Sequence, residues 1–364
     1  MSYKESINII DKLYDSADIS RDDLSALLFD LLGKRKDTLH HYLFSKARLR
    51  QMQVFGKDIY KRGLIEISNY CVNDCFYCGI RHNNSEVCRY RLTEEEILET
   101  CAKGYELGMR TFVLQGGEDP FYKKDEFTEI IRRIKREYPD CAITLSLGEQ
   151  DRERYQLWFD AGADRYLLRH ETASEKHYEQ LHPAGMKLEN RKKCLFDLKD
   201  IGYQVGAGFM VGSPYQTSER LVMDIEFLQE LEPHMVGIGP FIPHKNTEYK
   251  DCESGSMLDT MVMLAIVRLL LPKALLPSTT ALGTLEDGGY ENGILAGANV
   301  VMFNLTPKKG AENYELYDGK VKTGRDTAER MKDFSSKLIT MGYELVSSRG
   351  DHEDKKRETM RDRG

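Results

Sequence analysis

The sequence predicts an α/β protein: a (β/α)8 TIM-type barrel with an N-terminal helical extension. Three observations carry this. Eight short apolar runs follow the first 58 residues, each nearly continuous in hydrophobicity, as strands buried on both faces are. Stretches with helix start and stop signals separate them. The length of 364 residues suits about two average domains, or one α/β barrel with an extension.

The first 58 residues read as helices. Ser20 is placed to cap one, with Asp22 and Asp23 at its positive end and Gly33 as its stop. Asp37-Thr38 is placed to cap the next, and no strand pattern precedes Leu64. The strand runs are 64–68, 111–115, 142–147, 165–169, 204–211, 235–239, 275–280 and 299–303. Thr93-Glu-Glu-Glu96 is a capping box whose helix ends at Gly108. Further helices are expected near 124–137, 151–160, 188–201, 217–230, 256–270 and 287–296, with stops at Gly162, Gly202 and Gly297. The chain thus divides into a helical segment (1–58), the barrel (59–346) and a charged tail (347–364), expected to be mobile and solvated. An open six- or seven-stranded barrel is the alternative, because closure leaves no mark in a sequence.

Composition excludes several functions. A hydrophobic fraction of 41% is enough for a sizeable core. With 52 Lys+Arg against 59 Asp+Glu, the net charge of −7 argues against non-specific nucleic-acid binding. The longest apolar run, Met261 to Leu271, is too short for a membrane span and carries Arg268. The N-terminus shows no signal segment, so a cytoplasmic location is expected, with neither nucleic acid nor membrane as partner. Eight cysteines in such a chain read as metal ligands or core thiols before disulfides.

In this barrel class the site lies where the strands end. There the sequence places Cys71-Val-Asn-Asp-Cys75-Phe-Tyr-Cys78, Gln115-Gly-Gly-Glu118, Ser146-Leu-Gly-Glu149 and Arg169-His-Glu171. The C-x3-C-x2-C spacing puts three thiolates in one loop. That suits three irons of a 4Fe-4S cube and leaves the fourth without a protein ligand. A structural zinc site is the alternative, since His82 follows Cys78 closely enough to complete a tetrahedron.

The trio with Tyr77 beside its last cysteine, and Gly116-Gly117-Glu118 after the second strand, resemble the radical S-adenosylmethionine (SAM) superfamily. The strings 113–120 (VLQGGEDP), 163–173 (ADRYLLRHETA) and 236–244 (VGIGPFIPH) resemble, within it, the HydE family of FeFe-hydrogenase maturases, over about residues 55 to 320. Methylornithine synthase and biotin synthase belong to the same branch. The resemblance implies one 4Fe-4S cluster on Cys71, Cys75 and Cys78, and SAM as second cofactor. Reductive cleavage of SAM at the cluster gives a 5′-deoxyadenosyl radical. The residues matching the family's cofactor contacts are Tyr77, Gln115, Gly116, Gly117, Glu118, Arg169, Glu171, Arg191 and Tyr314. Arg62, Thr144, Ser146, Thr279 and Thr280 match its substrate cavity, where a cation and several hydroxyls suit a small anionic ligand. The implied substrate is an iron–CO–cyanide–cysteine complex, attacked by the radical at sulfur. The implied partners are a reductant such as ferredoxin or flavodoxin, and other hydrogenase maturases. An amino-acid substrate, as in methylornithine synthesis, and a non-catalytic scaffold for an iron precursor are the alternatives. Some family members carry a second, C-terminal cluster; this chain has no cysteine after Cys252, so one is not expected at 320–330.

Overall fold

The N-terminal patterning gives helices first. In the computed structural model, which describes residues 2–34, 36–122, 124–320 and 326–355, these are α1 (Tyr3–Ser16), α2 (Arg21–Leu31) and α3 (Asp37–Phe55). Ser20 caps α2 by accepting from the Asp23 N–H. The cap expected at Asp37-Thr38 is not made: the residue before α3 is Lys36, whose side chain caps nothing. The later helices are α4 (Glu94–Glu106), α5 (Lys124–Glu137), α6 (Arg152–Asp160), α7 (Glu175–Leu181), α8 (Leu188–Ile201), α9 (Ser218–Leu231), α10 (Met257–Leu270), α11 (Thr280–Leu285), α12 (Gly289–Leu295), α13 (Lys308–Ala311) and α14 (Thr327–Met341). Thr93 forms the anticipated capping box with Glu96. The sequence did not signal α7, α11, α13 or α14.

The apolar run around Arg268 is a core helix. α10 packs against α3, and its residues from Thr260 onward are buried. Arg268, fully buried, donates to Gly297 O (2.8 Å), Pro272 O (2.7 Å) and Asn299 Oδ1 (2.9 Å). Its charge therefore sits inside a satisfied hydrogen-bond set. No described helix is long and apolar enough to cross a membrane.

The barrel strands are β1 (Asp58–Ser68), β2 (Thr111–Gly116), β3 (Ala142–Ser146), β4 (Arg165–Leu167), β5 (Gln204–Ala207), β6 (Met235–Val236), β7 (Pro277–Ser278) and β8 (Val300–Asn304). All pairs are parallel, in the order β6-β5-β4-β3-β2-β1-β8-β7. A parallel bridge between Met235 and Leu275 joins the two ends, with Val236 N donating to Leu275 O (3.1 Å) and Leu275 N to His234 O (2.9 Å). The barrel is therefore closed, through one short pairing.

Strand boundaries differ from the sequence reading: the runs expected at 142–147, 165–169, 235–239 and 275–280 are shorter here, Thr280 opening α11, and β1 and β5 differ most. β1 starts at Asp58, six residues early, because Lys61 and Arg62 interrupt its apolar run; a ninth strand, β9 (Glu344–Val346), pairs with that early portion. β5 ends at Ala207, where Gly208 (φ +151°) turns the chain, and Met210–Val211 then pairs with Gly239–Pro240 as a separate two-stranded piece. Tyr60, Met235, Leu275 and Val300 form an apolar layer within the lower barrel.

The stretch read as a solvated tail from 347 is anchored as far as it is described; 356–364 lies outside the described residues. Arg165, fully buried on β4, donates to Arg349 O (2.7 Å) and Asp351 Oδ1 (2.6 Å), and Gln204 Nε2 donates to Asp351 (2.9 Å). Arg349 pairs with Asp164 (2.8 Å) and Asp351 (2.7 Å). The charges read as solvating are partners for groups left at the foot of the barrel.

Burial would raise the Asp351 carboxyl, but Arg165 and Arg349 outweigh it and hold its pKa well below the usual range. A depressed carboxylate stabilises the fold above its unfolded pKa of about 4, and that contribution is lost as pH falls through its folded value. Asp351→Ala should cost about 3 kcal/mol in urea unfolding near neutral pH, with the difference from wild type shrinking on acidification. A pH-independent difference would contradict this.

Candidate active site

At the C-terminal ends of the strands a cavity of about 1200 Å³, counted with its mouth, opens between the loops. The loop after β1 supplies Cys71, Cys75 and Cys78, all free thiols facing this space. Arg89 holds the loop's shape by donating to the carbonyls of Asn69, Ile80 (2.8 Å) and Arg81. Asp74 pairs with Arg81 inside the same loop (2.6 Å), which holds the Asp74 carboxyl down at about 2. Burial raises all three thiols, Cys78 to about 12. Ligation therefore requires three protons to leave.

The loop after β2 meets the cysteine loop at unusually close range. A Cβ on Gly117 would lie 2.2 Å from Tyr70 O and 2.7 Å from Cys71 Cβ. Only a residue without a side chain permits that approach. Glu118 follows, half-buried, its carboxyl raised by desolvation, with Oε1 accepting from the Glu149 N–H (2.8 Å).

The opposite wall comes from β4 and α8. Arg169 Nη2 lies 3.0 Å from Glu171 Oε2 but outside hydrogen-bond geometry, so both atoms are unpartnered while near one another. Glu171 sits at φ +65°, a left-handed conformation that costs a side-chain-bearing residue about 1 kcal/mol. Arg191 donates Nε to Glu149 and Nη1 to Arg169 O (2.8 Å), which fixes its guanidinium in the wall. Tyr77 reaches His182 Nε2 (3.2 Å), and Gln115 Nε2 donates to Tyr314 OH (3.2 Å).

All the residues matched to cofactor contacts line this cavity, and so does Ser146. Arg62, Thr144, Thr279 and Thr280 do not. Arg62 is buried in the barrel lumen and crosses it from β1 to β6, with Nη1 3.2 Å from Met235 Sδ. Its Nε and Nη2 have no partner, and neither do the hydroxyls of Thr144 and Thr279. Thr144 shares a strand face with Ser146, one step deeper. Thr280 instead bonds the Tyr317 hydroxyl (3.0 Å).

Sequence reading missed Arg89, Glu149 and Tyr317. Glu149 stood in a quoted string without a role; Arg89 and Tyr317 gave no signal. It also missed Lys320, which pairs with buried Glu66 and donates to Tyr314 O (2.8 Å).

The donor set fits a cluster better than a zinc ion. His82 Nδ1 is engaged at Cys71 O (3.3 Å), and among the described residues no three His, Cys, Asp or Glu side chains converge on one ion position. Three thiols that line one cavity without converging on a single point suit separate irons of a cube. Residues 321–325, in the stretch considered for an accessory cluster, lie outside the described residues.

Residues 65–228 match the family model described as the radical SAM superfamily. The chain is 46% identical over 279 residues to the [FeFe] hydrogenase maturase subunit HydE of Thermotoga maritima, covering 77% of this chain and 79% of that protein. It is 30% identical over 339 residues to 3-methylornithine synthase of Methanosarcina acetivorans, covering 92% of each. A crystal structure of methylornithine synthase (PylB) superposes with a TM-score of 0.79 at 26% identity, over 93% of this chain and 97% of that one.

Gly117→Ala should force the two loops apart, at a cost of about 1–3 kcal/mol. Iron and sulfide analysis after anaerobic reconstitution should find markedly less metal than in wild type. Equal loading would show that the close approach is dispensable.

Proposed function

The chain belongs to the radical SAM superfamily, and on that premise we propose that it is a HydE-type maturase acting on a small anionic, sulfur-containing iron–CO–cyanide–cysteine precursor. Cys71, Cys75 and Cys78 would hold a 4Fe-4S cluster with one open iron, and the cavity beside them would hold SAM. When bound, this pair supplies a 5′-deoxyadenosyl radical by one-electron cleavage of the sulfonium bond.

The chain's own residues do the rest. Glu118 would accept from the methionine ammonium, and its partial desolvation would strengthen that contact. Arg191, already fixed by Glu149, offers a guanidinium edge to the methionine carboxylate. Buried Tyr314 and half-buried Tyr77 would give flat walls for the nucleoside, and Arg169 and Glu171 would face it from the segment after β4. Buried walls exclude water, which a reactive radical requires.

The observation that carries the substrate reading is Arg62. A buried guanidinium with two unpartnered N–H groups, accompanied by the free hydroxyls of Thr144 and Thr279, calls for an anionic or strongly accepting ligand. Methylornithine synthesis is the second reading, favoured by the longer alignment with that enzyme. An amino-acid ammonium would need a free inward carboxylate. Glu66, the buried one on β1, is already satisfied by Lys320, Asn304 (3.0 Å) and Thr306. A ferredoxin- or flavodoxin-type reductant and other hydrogenase maturases are the partners that accompany the maturase reading.

The test is anaerobic turnover with SAM, dithionite and the iron–cyanide–cysteine complex, with nucleosides read by mass spectrometry. An adenosyl adduct on sulfur, absent in Cys75→Ala, is expected. Free 5′-deoxyadenosine alone would set the maturase reading aside, and no cleavage by fully loaded protein would favour the scaffold. Arg62→Gln should raise the KM for the anionic substrate roughly thirtyfold, the effect of removing one partner of a buried charged contact. An unchanged KM would remove Arg62 from the substrate site.

A further inference from the structure

Glu171 carries its side chain from a left-handed backbone position on the cavity wall, so something must hold it there. Its own backbone makes two bonds to the neighbouring strand region: Glu171 N donates to Gly208 O (3.0 Å), and Met210 N donates to Glu171 O (3.3 Å). One side chain of α9 meets the segment around Glu171 from outside the barrel, bonding the residue two positions after it and touching the one before it. Asp224 Oδ1 accepts from the Ala173 N–H, and the same oxygen lies 3.4 Å from His170 Nε2, in contact but outside hydrogen-bond geometry. His170 accepts at Nδ1 from Gly208 N (3.3 Å), so its proton sits on Nε2 and faces Asp224. The ring is wedged against Phe227 (4.9 Å) and Phe209 (5.8 Å). Both His170 and Asp224 are completely buried, and neither lines the cavity.

We propose that Asp224 is a positioning residue for SAM: by binding the Ala173 N–H and abutting His170 it holds Glu171 in its strained conformation and aims it at the cofactor. The inference rests on the reading of Glu171 as a SAM contact. It extends the site one layer outward, onto a helix whose other buried residues are apolar. Burial raises the Asp224 carboxyl far above the usual range, so a neutral amide is a faithful replacement. What the clamp requires is an acceptor oxygen of the right reach, not a charge.

Calorimetric titration of cluster-loaded protein with SAM tests this through a double-mutant cycle. Glu171→Gln and Asp224→Ala should each weaken SAM binding, the latter roughly tenfold or more, as misplacement of a binding group does. The double variant should bind no worse than Glu171→Gln alone, because Asp224 acts only through Glu171. Asp224→Asn, keeping the oxygen, should restore binding. Iron content and the cluster's visible absorption are measured in every variant, so that a collapsed site is not mistaken for a misaimed one. If Glu171→Gln leaves SAM binding unchanged, the reading of Glu171 fails and the proposal with it. If Glu171→Gln weakens binding but Asp224→Ala does not, that reading stands and the proposal is overturned. Additive losses in the double variant, or equal loss in Asp224→Asn and Asp224→Ala, would overturn it as well.

Discussion

The barrel is organised around a guanidinium that has nowhere to put its charge. Arg62 spans the lumen from β1 to the Met235 sulfur, buried, with two N–H groups unmatched. Leaving such a group unpaired in a low-dielectric interior is expensive. The neighbouring charges do not relieve it. Arg165, below, is taken up by Asp351; Glu66, above, is taken up by Lys320. Each of those pairs closes on itself and leaves one positive centre in the lumen. On the proposed function, an anionic substrate arriving from the cavity above would answer that charge.

That cavity has a different logic. Its shape depends on how closely backbones approach. Gly117 against Tyr70 and Cys71 brings the thiol loop over the end of β2, and Arg89 ties the loop's carbonyls together from behind. The opposite wall, from Arg169 to Glu171 and across to Arg191, is held by contacts that themselves lie outside the cavity: Glu149 on one side, Asp224 on the other. Two layers result: the thiols and the opposite cavity wall above, on the loops that follow the strands, and Arg62 with the Thr144 hydroxyl below, on the strands themselves.

Much of this was legible in the sequence, for local reasons. The spacing of Cys71, Cys75 and Cys78, the two glycines before Glu118 and the polar ends of the strands follow from neighbours within a few residues. Helices with strong caps, such as those starting after Thr93 and Ser20, were legible in the same way. What stayed hidden depends on partners far along the chain. Asp351 reads as a solvated charge until Arg165 is found 186 positions away, and Lys320 reads as a surface lysine until Glu66 is found 254 positions away. Closure of the barrel hangs on one backbone bridge at Met235, which no side-chain pattern announces. Asp224 is one acidic residue among many on an amphipathic helix; only its contact with Ala173 and His170 sets it apart.

The most direct measurement is equilibrium binding, under anaerobic conditions, of two ligand classes to protein loaded with cluster and SAM: an anionic iron–cyanide–cysteine complex and L-lysine. With Arg62 as the anion site, saturable binding of the anion and none of the lysine is expected. Binding of lysine in preference to the anion would contradict it, and would mean that the charge on Arg62 is answered by something other than substrate.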